Sequence, residues 1–425
     1  MLDKSTNSEE VPQLIERHLL DQYSIDRRGK AVLVCNFFVF LTFNINYSHL
    51  CLGAVVNDIY LIPSICILIV MLFFSFLLQR KIDNYISKSK ENIFCEILEN
   101  NFGSVCSQFF EVLSVIWIGF YFIATFIIGK ETVLILFEVK NDENLVIIIK
   151  CIYCVSFFFL IVLINAIEST IWIDINIIIS FFINFGIILM LIFYMIYGKK
   201  QTNTEMIDKL IGNVFKLKII EWKDKIFNAI TIFTSCFNNV MIFFWLNKKF
   251  KRSNMTVKKH RIFILLNYVF NFLFYSLFIA KGILFKFDKQ EYYLDFLLKA
   301  NNNNLAIPII LFNVIYQILL MNFYIYIIKR VIVRSKQQKI FKQSRYFISC
   351  SAITLGLIVL TFWVKNPYNI IIVNNSTVGF IINFIIPSLL LVKKKLTFTN
   401  SFLLFGTFIL FAICLSCSYS ILLNS

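Results

Sequence analysis

Apolar residues recur in runs long enough to cross a bilayer, separated by short polar and basic stretches. A hydrocarbon layer about 30 Å thick needs about 20 such residues per helical span. The runs are Ala31 to Val56, Ile59 to Gln79, Phe109 to Phe137, Leu145 to Ile167, Ile171 to Tyr197, Ile226 to Leu246, Ile262 to Leu284, Leu305 to Ile328, Tyr346 to Val364, Asn369 to Val392, and Ser401 to Leu423. They predict an all-α membrane protein with eleven transmembrane helices. The longest connections, 80–108, 198–225 and 286–304, leave no room for a large soluble domain. Residues 1–30 are polar and of mixed charge, so the chain divides into a cytoplasmic tail (1–30) and a transmembrane domain (31–425). The tail lacks a basic region followed by a short apolar core, and no cleavable signal is expected.

Two spans break the apolar pattern near mid-depth. Span one carries Asn44, Asn46, Tyr47, Ser48 and His49; span six carries Thr231, Thr234, Ser235, Cys236, Asn238 and Asn239. Either cluster covers more than a helical turn and cannot hide on one narrow face. Polar groups at that depth line a cavity or bond neighbouring helices. Spans one and six are equivalent positions in a protein of two five-helix halves. In such inverted-repeat carriers these helices are interrupted, and their half-helix ends bind the substrate and the coupling cation. The pattern therefore predicts a 5+5 inverted repeat plus one C-terminal helix. That design needs no buried side-chain charge at the substrate site.

Composition supports the membrane assignment. The 425 residues are 59% apolar and only 16% charged, too apolar for a soluble surface. The net charge of +16 does not suggest nucleic acid, because the basic residues sit in short loops where they fix orientation. The tail and the even-numbered loops hold roughly twice the Lys and Arg of the odd-numbered loops, which predicts a cytoplasmic N-terminus. The loop 198–225 dissents with several Lys, partly offset by Glu205, Asp208, Glu221 and Asp224. The spans hold few charges: Lys150 and Lys281 lie where they can snorkel, and Glu111, Glu168 and Asp174 lie near inner ends.

Catalytic and cofactor chemistry find little support. The Cys151–Cys154 pair lies within an apolar helix, and three His cannot supply a zinc cluster. No acidic or His pair has the spacing of a membrane-embedded enzyme, so neither enzyme activity nor a cofactor or metal is expected. His49 is the group inside a span that titrates near neutral pH, and it is the candidate for proton coupling.

From Glu96 through Lys395 the chain resembles the amino acid/auxin permease family. Cys95-Glu-Ile-Leu-Glu-Asn-Asn-Phe-Gly103 resembles the family's stretch before span three, and Phe278 to Asp288 its end of span seven. Cys236-Phe237-Asn238-Asn239 and Phe244 are similar to its Cys-His-x-Asn signature with a later Tyr, although Phe237 and Phe244 depart from it. Asn383-Phe-Ile-Ile-Pro387 before a basic loop is similar to its Phe-Ile-x-Pro close. Span one departs most: Asn46-Tyr47-Ser48-His49-Leu50-Cys51-Leu52-Gly53 stands where the family has a Gly-Ser-Gly run.

The resemblance implies a secondary transporter that moves amino acids by alternating access, coupled to protons or sodium, in a plasma or vacuolar membrane. Asn46, Tyr47 and Ser48 of span one and Cys236, Asn238 and Asn239 of span six are the expected substrate-binding residues. Tyr121 of span three and Asn313 of span eight are weaker candidates. A transporter-like amino acid sensor and a multi-pass receptor are the alternative readings.

Overall fold

A computed structural model describes residue 59, residues 61–86, 94–136, 143–166, 219–237, 257–284, 303–334, 343–364 and 367–423, with scattered positions between 175 and 189. Span one and its candidates Asn46, Tyr47, Ser48 and His49 lie outside the described residues, as do Asn238 and Asn239.

The described residues contain helices and no strand. In chain order they are α1 (Leu61–Ile86), α2 (Phe94–Phe102), α3 (Ser104–Leu136), α4 (Glu143–Ala166), α5 (Ile219–Cys236), α6 (Val257–Leu284), α7 (Asn303–Arg334), α8 (Gln343–Leu360), α9 (Pro367–Asn374), α10 (Ile386–Lys394) and α11 (Phe398–Leu423). Between α9 and α10 lie two π-helical segments, Asn375–Gly379 and Ile381–Ile385, so that one apolar helix continues from 367 to 394 with a widened middle. Among the described residues five helices are long and apolar enough to cross a membrane: Leu61–Ile86, Ser104–Leu134, Asn144–Leu163, Asn369–Lys394 and Phe398–Ser420.

Where charges interrupt an apolar run, the helix does not stop. α1 continues through Arg80, Lys81 and Asp83 to Ile86, because Lys81 Nζ reaches Thr399 Oγ1 at 2.8 Å and Asn400 Oδ1 at 2.6 Å on α11. Within 80–108 the short amphipathic α2 buries Phe94, Ile97 and Leu98 and packs on α3. Gly103, at φ +91°, joins them, and its N–H bonds the Glu99 carbonyl at 2.9 Å. Only a residue free of a Cβ takes that left-handed turn without strain.

α3 is the centre of the bundle. Its 33 residues pack most extensively against the antiparallel α7, and also against α9 and α2. α6 packs on α1, α8 on α4, and α11 on α5 and α10. The peripheral helices expose large apolar side chains in file, such as Ile148, Ile152, Val155 and Phe159 of α4 and Phe402, Phe405 and Phe408 of α11. Water does not tolerate apolar files of that extent, whereas lipid does. The protein is an integral membrane protein.

Candidate functional site

The polar side chains that α3 carries at mid-length meet the widened part of the 367–394 helix. Tyr121 Oη donates to Asn375 Oδ1 at 2.6 Å, and Trp117 Nε1 donates to the same oxygen at 3.2 Å. Asn374 Nδ2 donates to the Trp117 carbonyl at 2.9 Å, while Asn374 Oδ1 is buried with no hydrogen-bond partner. The Trp117 and Tyr121 rings meet edge-on at 5.3 Å, and the Tyr324 ring of α7 lies 5.9 Å from that of Tyr121. All these side chains are buried.

Side-chain bonds to the backbone accompany the widening. Ser376 Oγ bonds the Ile372 carbonyl at 2.6 Å, Thr377 Oγ1 the Val373 carbonyl at 2.6 Å, and Asn383 Nδ2 the Gly379 carbonyl at 2.9 Å. Side chains that take the carbonyl four residues back compete with the helical ladder and loosen it. Pro387, at the start of α10, has no N–H to give to that ladder. Such π segments inside α-helices often sit at functional sites. Ser376 also hydrogen-bonds Ser418 of α11.

The end of α5 forms the second side of the site. Within the described residues α5 runs to Cys236, and Phe237 is a turn residue whose N–H bonds the Thr234 carbonyl at 3.1 Å. A helix end leaves its last carbonyls without intrahelical partners and carries a partial negative charge. Tyr275 Oη of α6 donates to the Cys236 carbonyl at 2.8 Å, and Ser75 Oγ of α1 approaches the Phe237 carbonyl at 3.5 Å. Thr231 and Thr234 turn back onto their own helix at 2.9 and 2.7 Å, and Cys414 Sγ of α11 lies 3.9 Å from Thr234 Oγ1. α3 and α5 both pack against the first π segment, so the two sides of the site are neighbours.

Of the residues singled out in the sequence, Tyr121 and Cys236 are both buried, on helices that pack against the same π segment. Asn313 belongs to α7, and its side chain lies outside the described residues. No family model matches the sequence, and no curated protein matches it either. Among solved structures, a Na+-coupled sialic acid symporter, in a substrate-bound outward-open state, is similar with a TM-score of 0.41 and 13% identity over 87% of this chain and 86% of that chain.

Asn374, Asn375 and Ser376 are the residues that sequence reasoning missed. Their signal was present: Asn374-Asn375-Ser376-Thr377 is a polar run inside an apolar span, the same kind of interruption that marked spans one and six. Among the described residues no group of His, Cys, Asp and Glu could hold a metal ion.

Proposed function

We propose that the chain is a secondary transporter that moves a small polar solute by alternating access around the region bounded by Trp117, Tyr121, Asn375 and the end of α5. One observation carries the reading: a helix ends inside the bundle at Cys236, facing a π-widened helix whose Asn374 carries a buried oxygen without a partner. In a membrane core, open backbone and amide groups are tolerated where they line a cavity that a solute or water fills. The carbonyl end of α5 suits a cationic group, and the amides and hydroxyls of Asn374, Asn375 and Tyr121 suit a carboxylate or hydroxyl. A zwitterionic amino acid offers both ends, so amino acids are the proposed substrates, in keeping with the resemblance to the amino acid/auxin permeases. Asn46, Tyr47, Ser48, Asn238, Asn239 and Asn313 are proposed to complete the site, and His49 is a candidate proton carrier. Protons or sodium supply the driving force, and the N-terminus is cytoplasmic.

Ligand binding tests this reading on the purified protein. Amino acids that raise its melting temperature should do so less in Tyr121→Phe and least in Asn375→Ala, each corrected for its own ligand-free baseline. Equal ligand-induced shifts in all three proteins would place the substrate elsewhere.

A further inference from the structure

Among the described residues, Asp83 is the one buried charged side chain, 2% exposed, although it sits between charged neighbours near the end of a helix. Its neighbours point outward: Arg80 is exposed and Lys81 reaches α11. A carboxylate three residues from a helix end could have faced the polar boundary, yet the helix turns it inward. Ionisable groups buried in spanning helices are expensive and mark ion pathways far more often than ordinary packing.

Asp83 is the last of a file on α1. Ser75, Gln79 and Asp83 recur every four residues on one buried face. On α6, Tyr268 bridges the first two: its Oη donates to Gln79 Oε1 at 2.9 Å and shares a 2.8 Å hydrogen bond with Ser75 Oγ. Ser75 in turn approaches the Phe237 carbonyl at the end of α5. The Tyr268 ring stacks on Phe237, with centroids 6.3 Å apart and planes at 11°. The file thus runs from a carboxylate to the proposed substrate site. One donor in it is open: Gln79 Nε2 is buried with no hydrogen-bond partner, one helical turn from Asp83. A buried amide donor without an acceptor is costly, and the arrangement makes sense if its partner comes and goes.

We propose that Asp83 is a proton-carrying group of the transport cycle, and that Gln79, Tyr268 and Ser75 report its charge to the end of α5. This rests on the transporter reading given above. When Asp83 is a carboxylate, it accepts from Gln79 Nε2; the amide oxygen then holds the Tyr268 proton, and Ser75 donates to Tyr268. When a proton from water binds the carboxylate, the neutral acid no longer holds the Gln79 amide. The Gln79 side chain, no longer fixed at its amide end, is then free to turn its oxygen away, which lets Tyr268 donate to Ser75 and Ser75 to the Phe237 carbonyl. One proton is taken up and later released, and no covalent bond other than O–H forms or breaks.

The groups around the inner end of α1 are mostly cationic. Arg261 of α6 bonds Asn84 Oδ1 at 2.9 Å, Lys394 of α10 lies over the Tyr85 ring at 5.6 Å, and Lys393 bonds the Asn101 carbonyl. Glu96 and Glu99 of α2 are the nearby acids, and on α5 Lys225 lies at the opposite end. Tyr85 and Tyr268 are the neighbouring phenols.

Two fluxes into liposomes holding the full chain separate the proposal from its parent. Amino acid exchange, with labelled substrate outside and unlabelled inside, needs no net proton movement. Accumulation driven by a pH gradient does, at about tenfold per proton for each pH unit. Asp83→Asn should keep exchange and lose pH-driven accumulation, while Asp83→Glu keeps both. Gln79→Leu should weaken accumulation with exchange retained. If Asp83→Asn accumulates substrate as the parent does, Asp83 is not the carrier. Accumulation by the parent chain driven by sodium and indifferent to pH would also overturn the proposal while leaving the transporter reading intact. If the parent chain neither exchanges nor accumulates, the transporter reading itself fails. Should Asp83→Asn be poorly folded, the infrared C=O band of a protonated carboxyl in the parent chain, lost in Gln79→Leu or shifted by it, provides the second measurement; its absence at every pH overturns the assignment.

Discussion

Asn375 Oδ1 takes two buried donors at once, the Tyr121 hydroxyl and the Trp117 indole N–H. Removing one donor and removing the shared acceptor are therefore unequal changes. Tyr121→Phe leaves the oxygen with its other donor and should cost about 1 kcal/mol, whereas Asn375→Ala strands two buried donors at about 1–3 kcal/mol each. Thermal unfolding in detergent should rank the alanine variant clearly lower; the reverse order would contradict the network. Gly129 supports a second residue-scale test. A Cβ there would run into the Tyr153 hydroxyl and lie 2.6 Å from Gln317 Oε1, whereas one at Gly356 would meet nothing within 4 Å. Gly129→Ala should lose about 1–3 kcal/mol through overpacking. Gly356→Ala, inside α8, should be neutral or gain up to about 1 kcal/mol from helix propensity. Melting temperatures of the two variants check both expectations. Tyr121 and Cys236 were legible in the sequence as polar or thiol groups in apolar spans. Asp83 was not, because a composition window sees three charges together at 80–83 and ends the span, while burial depends on which way each side chain turns.

At the scale of elements, the hydrophobic pattern located helices well where both faces meet apolar surroundings. It misplaced their ends where side chains supply the partners. α1 outruns its apolar run because Lys81 finds acceptors on α11, and α5 begins before its run, at Ile219, with Trp222 and charged residues in its first turns. The π segments were illegible for another reason. They are backbone events, accompanied by Ser376, Thr377 and Asn383 bonding carbonyls and followed by Pro387, which has no N–H to give. A π segment carries one residue more than the α-helix it interrupts. Deleting Thr377, which is only partly buried, should therefore leave the contacts on either side in register. A deletion of Phe408 in the regular α11 should rotate everything beyond it by about 100° and break the Cys414 and Ser418 contacts. Size-exclusion profiles in detergent should stay monodisperse for the first deletion and not for the second. Aggregation of both would mean that the widening is not a removable insertion.

For the whole molecule, the apolar periodicity and the loop charges specify a membrane bundle, and the described helices are long, apolar and lipid-facing at the periphery. The orientation we propose, with eleven spans and basic inner loops, puts the N-terminus in the cytoplasm and the C-terminus on the opposite side of the membrane. Membrane-impermeant labelling of single cysteines introduced at residue 5 and residue 424, in a background lacking reactive thiols, should modify the second alone in sealed vesicles whose cytoplasmic face is inward. Labelling of both, or of the first only, would require a different count or an inverted topology. Lys81, Arg261, Lys393 and Lys394 gather at the C-terminal end of α1, which the proposed orientation turns to the cytoplasm.

The buried polar region between α3, the π-widened helix and the end of α5 is proposed to carry a small solute across the membrane. The most direct test is uptake of pooled radiolabelled amino acids into liposomes holding the purified protein, with an imposed proton or sodium gradient and with none. The account predicts gradient-dependent accumulation of a subset of the pool, diminished in Asn375→Ala under conditions where that variant remains folded. No entry of any amino acid under either gradient, from a protein that is folded and inserted, would contradict it.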